Sequence, residues 1–443
     1  MATNPGGLAE IVRRNSADPS NIPRLIDACL ARVNSQEARL HALVHVNAKG
    51  AMARAKELAQ ELVDGRAHRP LHGVPIVVKE IFSVDGMPFS TGSRLSLPDP
   101  ADGEGMLVRT LRDAGCVILG KSVSTEFAFA QHNIDKEMPV NPRDTAVDRA
   151  TGGSSSGSAT AQAAGYCGFA LGTDTGGSVR APAALCGVAG FKPSPGRWSM
   201  DGVFELMPGL DAPGVFANTL ADIEVVYRGL EDAPAAKVPA LTGMRLGIPN
   251  HLFFDELDRD VQATMEHVLD HLRAAGVTFV PLEFPDLREV DSFFRHTLTA
   301  TLRDRLGGRL VEEHWSDLDS ITRQRFAELD TAKGDGVTLD LLSNLREQAE
   351  RILDEAGVQA WVAPTVPCVA PPQSELRDPQ KLAAWQGYVS RNTRCVNALR
   401  MTACSIPVQP ASVLPVGLQI AGQQGGDALV LGVGRSIEAA LQC

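Results

Sequence analysis

The chain of 443 residues has eight cysteines but no Cys-x-x-Cys pair. Without paired spacing a structural zinc site is not expected. Several cysteines sit in apolar runs such as "GCVILG" and "AALCGVAG", and they read as reduced, buried small hydrophobes of a cytoplasmic protein. No apolar run approaches the roughly 18 residues a membrane helix needs. The opening "MATNPGGLAEIVRRNSADPS" lacks the apolar segment of a secretory signal. Positive charge is also in deficit, with 42 Lys+Arg against 53 Asp+Glu and a net charge of −11. That argues against nucleic acid or an anionic membrane as the main partner and for a small-molecule substrate. The segment "HVLDH" lacks the Glu of H-E-x-x-H, so His267 and His271 are expected on a solvated helix face and not around a metal. No internal repeat is visible.

What is present is ordinary for a globular protein, with 44% hydrophobic and 21% charged residues, enough for a sizeable core. Residues 1 to 65 read as helices from apolar spacings of three and four in "NIPRLIDACLARVNSQ" and "GAMARAKELAQELVDG". "HGVPIVVKEIFSV" and "CVILGKSV" read as buried strands separated by the helix "EGMLVRTLRDAG". Farther on, the strands "MRLGIP", "VTFVPLEFP", "VQAWVAPTVP" and "LPVGLQIAG" alternate with helical stretches, and "DALVLGVGRSIEAAL" closes the chain as a helix. Alternation of this kind points to an α/β sheet protein, taken as one large domain over residues 1–443 with helical excursions.

Two Gly/Ser segments stand out, "TGGSSSGSA" from residue 151 and "GTDTGGSVRAPAALCG" from residue 172. A flexible linker would not run straight into an apolar, Ala-rich stretch. A phosphate loop needs Lys after its second glycine, but Ser158 follows Gly157. Residues 153–157 match G-x-S-x-G with Ser155 central, yet that motif needs a buried strand ahead of it and "NPRDTAVDRAT" is polar. A serine hydroxyl is a weak nucleophile until a base takes its proton. Of the ten histidines only His132 lies near either segment. Lysine can replace histidine if burial lowers its pKa, and Lys79 sits inside the apolar run "GVPIVVKEIF".

The combination of "GVPIVVKE", "TGGSSSGSA" and "GTDTGGSVRAPAALCG" closely resembles the amidase signature family. "FKPSPGRWSMDG", "LDAPGVFANTLAD", "VAPTVP" and "LPVGLQIAG" fall where that family has counterparts, so the resemblance spans most of residues 70 to 435. It implies an α/β fold with a mixed central sheet covered by helices on both faces, and a catalytic core over residues 70–220. It implies a triad of Ser178 as nucleophile, Ser154 after a cis peptide bond from Gly153, and Lys79 as base. The backbone N–H groups of Thr175, Gly176, Gly177 and Ser178 are expected to form the oxyanion hole. Ser155 and Thr173 are candidates for the serine hydrogen-bond network. Asp174 and Arg180 are expected to form an ion pair that holds the nucleophile loop, with a substrate carboxylate as the alternative partner of Arg180. Phe127, Phe129 and Trp198 are expected in the core. No metal or organic cofactor is implied.

The sequence departs from the family pattern at Glu80, Thr151, Ala130 and the stretch from His132 to Met138. These positions surround the expected substrate entrance and leave the triad intact. The leading expectation is hydrolysis of a small carboxamide to acid and ammonia. The alternatives are deamination of a small non-amide substrate, such as an amino-diene acid, and a glutaminase subunit of a tRNA-dependent amidotransferase. An ester or aryl amide substrate and a catalytically silent binding protein are further alternatives, and the intact Lys79, Ser154 and Ser178 argue against silence. The chain is short for the family near its C-terminus, which counts against the amidotransferase reading. A homodimer is compatible with the resemblance.

Overall fold

The computed structural model describes residues 7–66, 68–231, 234–331, 339–408 and 414–441. The strands are β1 (Leu43–Val46), β2 (Pro75–Lys79), β3 (Val117–Ser122), β4 (Phe169–Asp174), β5 (Ala189–Lys192), β6 (Ala212–Ala217), β7 (Arg245–Pro249), β8 (Thr278–Leu282), β9 (Ala360–Pro364), β10 (Thr402–Val408) and β11 (Val416–Gly422). Among the described residues they form one sheet of eleven, in the order β1-β3-β2-β4-β6-β5-β10-β11-β9-β7-β8. The sheet is mixed. β2 runs parallel to β3 and β4, and β7 runs parallel to β8 and β9, while the centre from β4 to β9 is antiparallel.

Strand alternation explains the two helical layers. Side chains point to opposite faces at successive positions. In β2, Ile76 and Val78 enter one apolar cluster, with Leu107, Leu220 and Val430 of the helices Met106–Asp113, Leu220–Glu231 and Asp427–Leu441. Val77 enters another, with Ile26, Ala55, Ala159 and Ala183 of the helices Asn21–Leu40, Ala48–Val63, Ser156–Ala163 and Arg180–Cys186. A strand covered on both faces needs a continuous apolar run, which is what "PIVV" supplies. Lys79 shares the face of Val77. A third cluster, with Phe293, Leu302, Phe326 and Leu353, lies under the helices between residues 289 and 356 and packs on Trp361 of β9.

The N-terminal part is not wholly helical as expected. After Leu40 the chain turns at His41 (φ +48°) and β1 pairs antiparallel with β3 at the sheet edge. The seven described cysteines are free thiols and buried, and Cys443 lies outside the described residues. Among the described residues no helix is long and apolar enough to cross a membrane.

Candidate active site

Open α/β sheets place their sites in the crevice beyond the C-terminal ends of parallel strands. Here β2 and β4 are parallel neighbours, with Val78 paired to Leu171. Their ends therefore bring Lys79 next to Thr173. Lys79 is fully buried, and its Nζ donates to Thr173 Oγ1 at 2.9 Å and to Ser154 Oγ at 2.8 Å. Burial pushes the Lys79 ammonium down to about 7, partly offset by the carboxylates of Asp211, Glu80 and Asp174. Two other lysines share this burial. Lys192 is pushed down to about 7 and Lys121 to about 8. They donate only to backbone carbonyls, Lys192 to Pro193 and Lys121 to Phe82 and Pro88. The depressed pKa alone does not select Lys79; its two hydroxyl partners do.

Ser154 arrives on the loop before the helix Ser156–Ala163, and the Gly153–Ser154 peptide bond is cis. That helix lies directly on the sheet. A Cβ on Gly157 would come within 2.2 Å of the Ala42 carbonyl and 2.5 Å of the Val123 nitrogen. The Gly/Ser run is thus a close-packed hinge between loop and helix. Ser155 fastens it to β4: its Oγ accepts from the Thr173 N–H at 3.2 Å and lies 3.2 Å from the Thr173 carbonyl. The Ser155 N–H donates to the Ser178 carbonyl at 3.4 Å, so the two serine-bearing loops lie side by side. Gln131, which no sequence pattern marks, also holds this loop. Its Oε1 accepts from the Gly153 N–H at 3.1 Å, and its own N–H donates to Gln386 Oε1 at 3.0 Å.

Ser178 sits between β4 and the helix Arg180–Cys186, and it is 5% exposed. Its loop is organised around the Asp174 carboxylate. That group accepts from the N–H groups of Gly177 (2.8 Å), Val179 (3.2 Å) and Arg180 (3.3 Å). It also receives the Arg180 guanidinium at 2.9 and 3.1 Å and Asn397 Nδ2 at 2.8 Å. Burial opposes ionisation of Asp174, but the Arg180 cation outweighs it and holds the carboxyl far below its ordinary range. Arg180 is 0% exposed and spends its other donors on Gln419, Asn397 and the Thr393 carbonyl. It is an internal ion-pair partner with no exposed surface. The oxyanion expectation is corrected at one position. The Gly177 N–H is taken by Asp174, while Thr175, Gly176 and Ser178 line the pocket. Gly177 needs its glycine for a different reason, since its φ is +121° and an added Cβ would fall 2.0 Å from Thr393 Oγ1.

A further carboxylate, Asp211, sits just before β6. It accepts from Thr175 Oγ1 at 2.6 Å and from the N–H groups of Leu206 (2.6 Å) and Met207 (3.0 Å). Burial pushes its pKa up to about 6. A lone aspartate ahead of "APGVFA" carries little sequence signal beyond its place in the run "LDAPG".

The pocket at Ser178 is narrow, about 30 Å³, and walled by Ala128–Gln131, Leu206, Phe294, Leu298, Arg325 and Arg394. It adjoins an outer chamber of about 180 Å³ that shares Phe294, Arg325 and Arg394. Phe129 is both core and wall, whereas Phe127 and Trp198 are core only, packing on Phe204 and Phe191. Phe127 and Ala128 take left-handed backbone, with φ of +50° and +58°, a conformation uncommon outside glycine.

A model of the family described as Amidase matches residues 24–431. The chain is 31% identical over 437 residues to a 2-amino-5-chloromuconic acid deaminase of Comamonas testosteroni, covering 94% of this chain and 92% of that one. It is 31% identical over 450 residues to a glutamyl-tRNA(Gln) amidotransferase subunit from Chloroflexus aggregans, covering 93% and 91%. Among solved structures it resembles a crystallised amidase with a TM-score of 0.84 at 28% identity, over 98% of this chain and all of that one. The expected shortness against amidotransferase subunits therefore separates the two little. With the whole sheet and both Gly/Ser segments inside the matched region, the chain belongs to the amidase family and is a hydrolase of carbon–nitrogen bonds.

Proposed function

We propose that this enzyme hydrolyses a small carboxamide to a carboxylic acid and ammonia through an acyl-enzyme on Ser178. The observation that carries the reading is the buried Lys79 amine bonded to Ser154 Oγ at 2.8 Å, beside the loop of Ser178. In the neutral amine the Ser154 contact reverses, so that the hydroxyl donates to the nitrogen lone pair. Thr173 Oγ1 then receives one of the two remaining N–H donors. Ser178 Oγ attacks the carbonyl carbon, its proton moves to Ser154, and the Ser154 proton moves to Lys79. The N–H groups of Thr175, Gly176 and Ser178 stabilise the oxyanion. The relay then returns the proton to nitrogen, the C–N bond breaks and ammonia leaves. Water repeats the sequence on the ester and releases the acid. Asp174 and Asp211 act as positioning residues by fixing the nucleophile loop from either side.

Similarity to the Comamonas enzyme supports a second reading, removal of ammonia from a small unsaturated amino acid. The amidotransferase similarity supports a third, glutamine hydrolysis within a complex. Ammonia release by the purified protein alone separates them, using primary amides, amino-diene acids and glutamine, with Ser178→Ala as control. Release from primary amides, lost in the variant, is expected. Release confined to amino-diene acids supports the second reading. Silence toward every substrate until partner proteins are added supports the third.

A further inference from the structure

A further chamber, of about 270 Å³, lies behind the wall of the Ser178 pocket. Consecutive residues divide between the two sides of that wall. Leu206 and Phe294 line the Ser178 pocket, and their neighbours Met207 and Phe293 line the chamber behind. Asn397 binds the Asp174 carboxylate, and its neighbour Ala398 lines the same chamber. Leu210 and Leu342 extend the apolar lining. Among the described residues, none that lines this chamber also lines either chamber on the catalytic side.

Its charged lining residues are two arginines. Arg346, on the helix Leu339–Ala356, keeps the Glu350 carboxylate at 3.2 Å. Arg400 follows the helix Arg391–Ala398 in left-handed backbone, with φ of +55°, at a place in the chain where glycine is usual. Its Nη1 donates to the Gly209 carbonyl and its Nε to Gln424 Oε1 at 3.3 Å. Both partners are uncharged, and Nη2 remains for a ligand. Burial, followed by the Arg346 cation, pushes the Arg400 pKa down, and no described carboxylate offsets them. Arginine nevertheless keeps its charge. Two cations thus meet in one chamber, and the carboxylate beside them, Glu350, lies on Arg346. A half-buried guanidinium next to a like charge is costly, and a bound anion relieves both. The free edge of a guanidinium fits a carboxylate. The apolar lining calls for a hydrocarbon body on that anion. A volume of about 270 Å³ falls just below the usual range for drug-sized ligands and suits a single ring or a short branched chain.

We propose that this chamber is a second binding site, separate from the catalytic pocket, for a small monocarboxylate with an apolar body, its carboxylate held by Arg400 with Arg346 beside it. Benzoate, phenylacetate and isovalerate are titrated into the wild-type protein by calorimetry, with benzyl alcohol and inorganic phosphate as probes of the ring and of the charge alone. At least one carboxylate should bind saturably, and the two control probes at least about tenfold more weakly. Arg400→Gln should weaken the carboxylate about tenfold to hundredfold, the loss of a charge-assisted pair. Hydrogen exchange with the carboxylate bound should slow in residues 207–210 and in the helix Leu339–Ala356, and stay unchanged in residues 128–131 of the Ser178 pocket. Absence of saturable binding by all three carboxylates overturns the proposal, as does binding indifferent to Arg400→Gln. Slowed exchange in residues 128–131 and not in 207–210 would place the ligand in the catalytic pocket and overturn it as well. Should Arg400→Gln fail to fold, Ser343→Trp decides. This exposed position lies on the chamber lining, its indole should block entry, and an unchanged affinity refutes the site.

Discussion

If Lys79 is the base, it must be neutral to work, and its titration should govern both rate and stability. Its pKa of about 7 lies some three units below the ordinary value of about 10.4 for lysine. At about 1.4 kcal/mol per unit, holding Lys79 in the folded interior costs the protein about 4 kcal/mol once it is protonated. The unfolded chain binds this proton more tightly. Stability therefore rises as pH climbs from about 7 towards the unfolded value, and the cost is complete below about 7. Lys79→Met keeps the volume and removes the charge. It leaves Ser154 and Thr173 without a partner, which costs about 1–2 kcal/mol. The variant should be inactive, yet about 2–3 kcal/mol more stable than wild type at pH 6 by the difference of these two figures, an advantage that is lost by pH 10, where the neutral Lys79 of the wild type keeps its hydrogen bonds at almost no protonation cost. Denaturant melts at both pH values measure it. In the wild type, log kcat/KM should rise with unit slope up to about pH 7 and then level off. Asp211 raises the Lys79 pKa, so Asp211→Asn should move this limb to lower pH. An acid limb that stays put in Asp211→Asn, together with a Lys79→Met protein less stable than wild type at pH 6, would refute the assignment of a buried neutral base.

Gly177→Ala should lower kcat at least tenfold with the fold retained, because the new Cβ collides with Thr393 Oγ1 at 2.0 Å and displaces the Ser178 loop; kinetics beside a circular dichroism melt would check this, and full activity would show that the loop can yield. Arg180→Met should cost about 3–5 kcal/mol by stranding the buried Asp174 carboxylate, with Asp174→Asn in the same chain recovering part of it in denaturant melts. Thr173→Val removes one of the two Lys79 hydroxyl partners and should reduce kcat/KM about tenfold, equivalent to one hydrogen bond; a loss confined to KM would count against a role in aligning the base.

Legibility in the sequence followed residue chemistry. β2, β3, β7, β8, β9 and β11 were readable because each lies in a short apolar run bounded by turn residues or by a helical stretch. β4, β5, β6 and β10 were not, since "FALGTD", "AGFK", "APGVFA" and "TACSIPV" are rich in small residues. Those small residues are there because other atoms crowd the sheet at its centre. A Cβ on Gly172 would meet Ser155 Oγ at 2.7 Å, one on Gly190 would meet Ala183 Cβ at 2.6 Å, and one on Gly214 the Phe191 carbonyl at 2.7 Å. Propensity gives way to close approach at these positions. Lys79 was legible as a charge inside an apolar run, and the Gly/Ser loops as small-residue clusters joined to structure. Asp211, Gln131, Gln386 and Arg325 were not. Each reaches the site from a distant part of the chain, and no local pattern marks an aspartate, glutamine or arginine whose partner lies far away in sequence. The free N–H expected at Gly177 failed for the same reason, because local flexibility said nothing of the Asp174 carboxylate waiting for it.

The most direct measurement is to map the acylated residue. Wild-type protein is reacted with a p-nitrophenyl ester of a short acid, quenched in acid during the burst, digested and sequenced by mass spectrometry. The acyl mass should sit on Ser178 alone, and Lys79→Met should give no burst. An acyl group on Ser154 or Ser155, or a burst that survives Ser178→Ala, would contradict the assignment of the nucleophile and with it the relay built on Lys79.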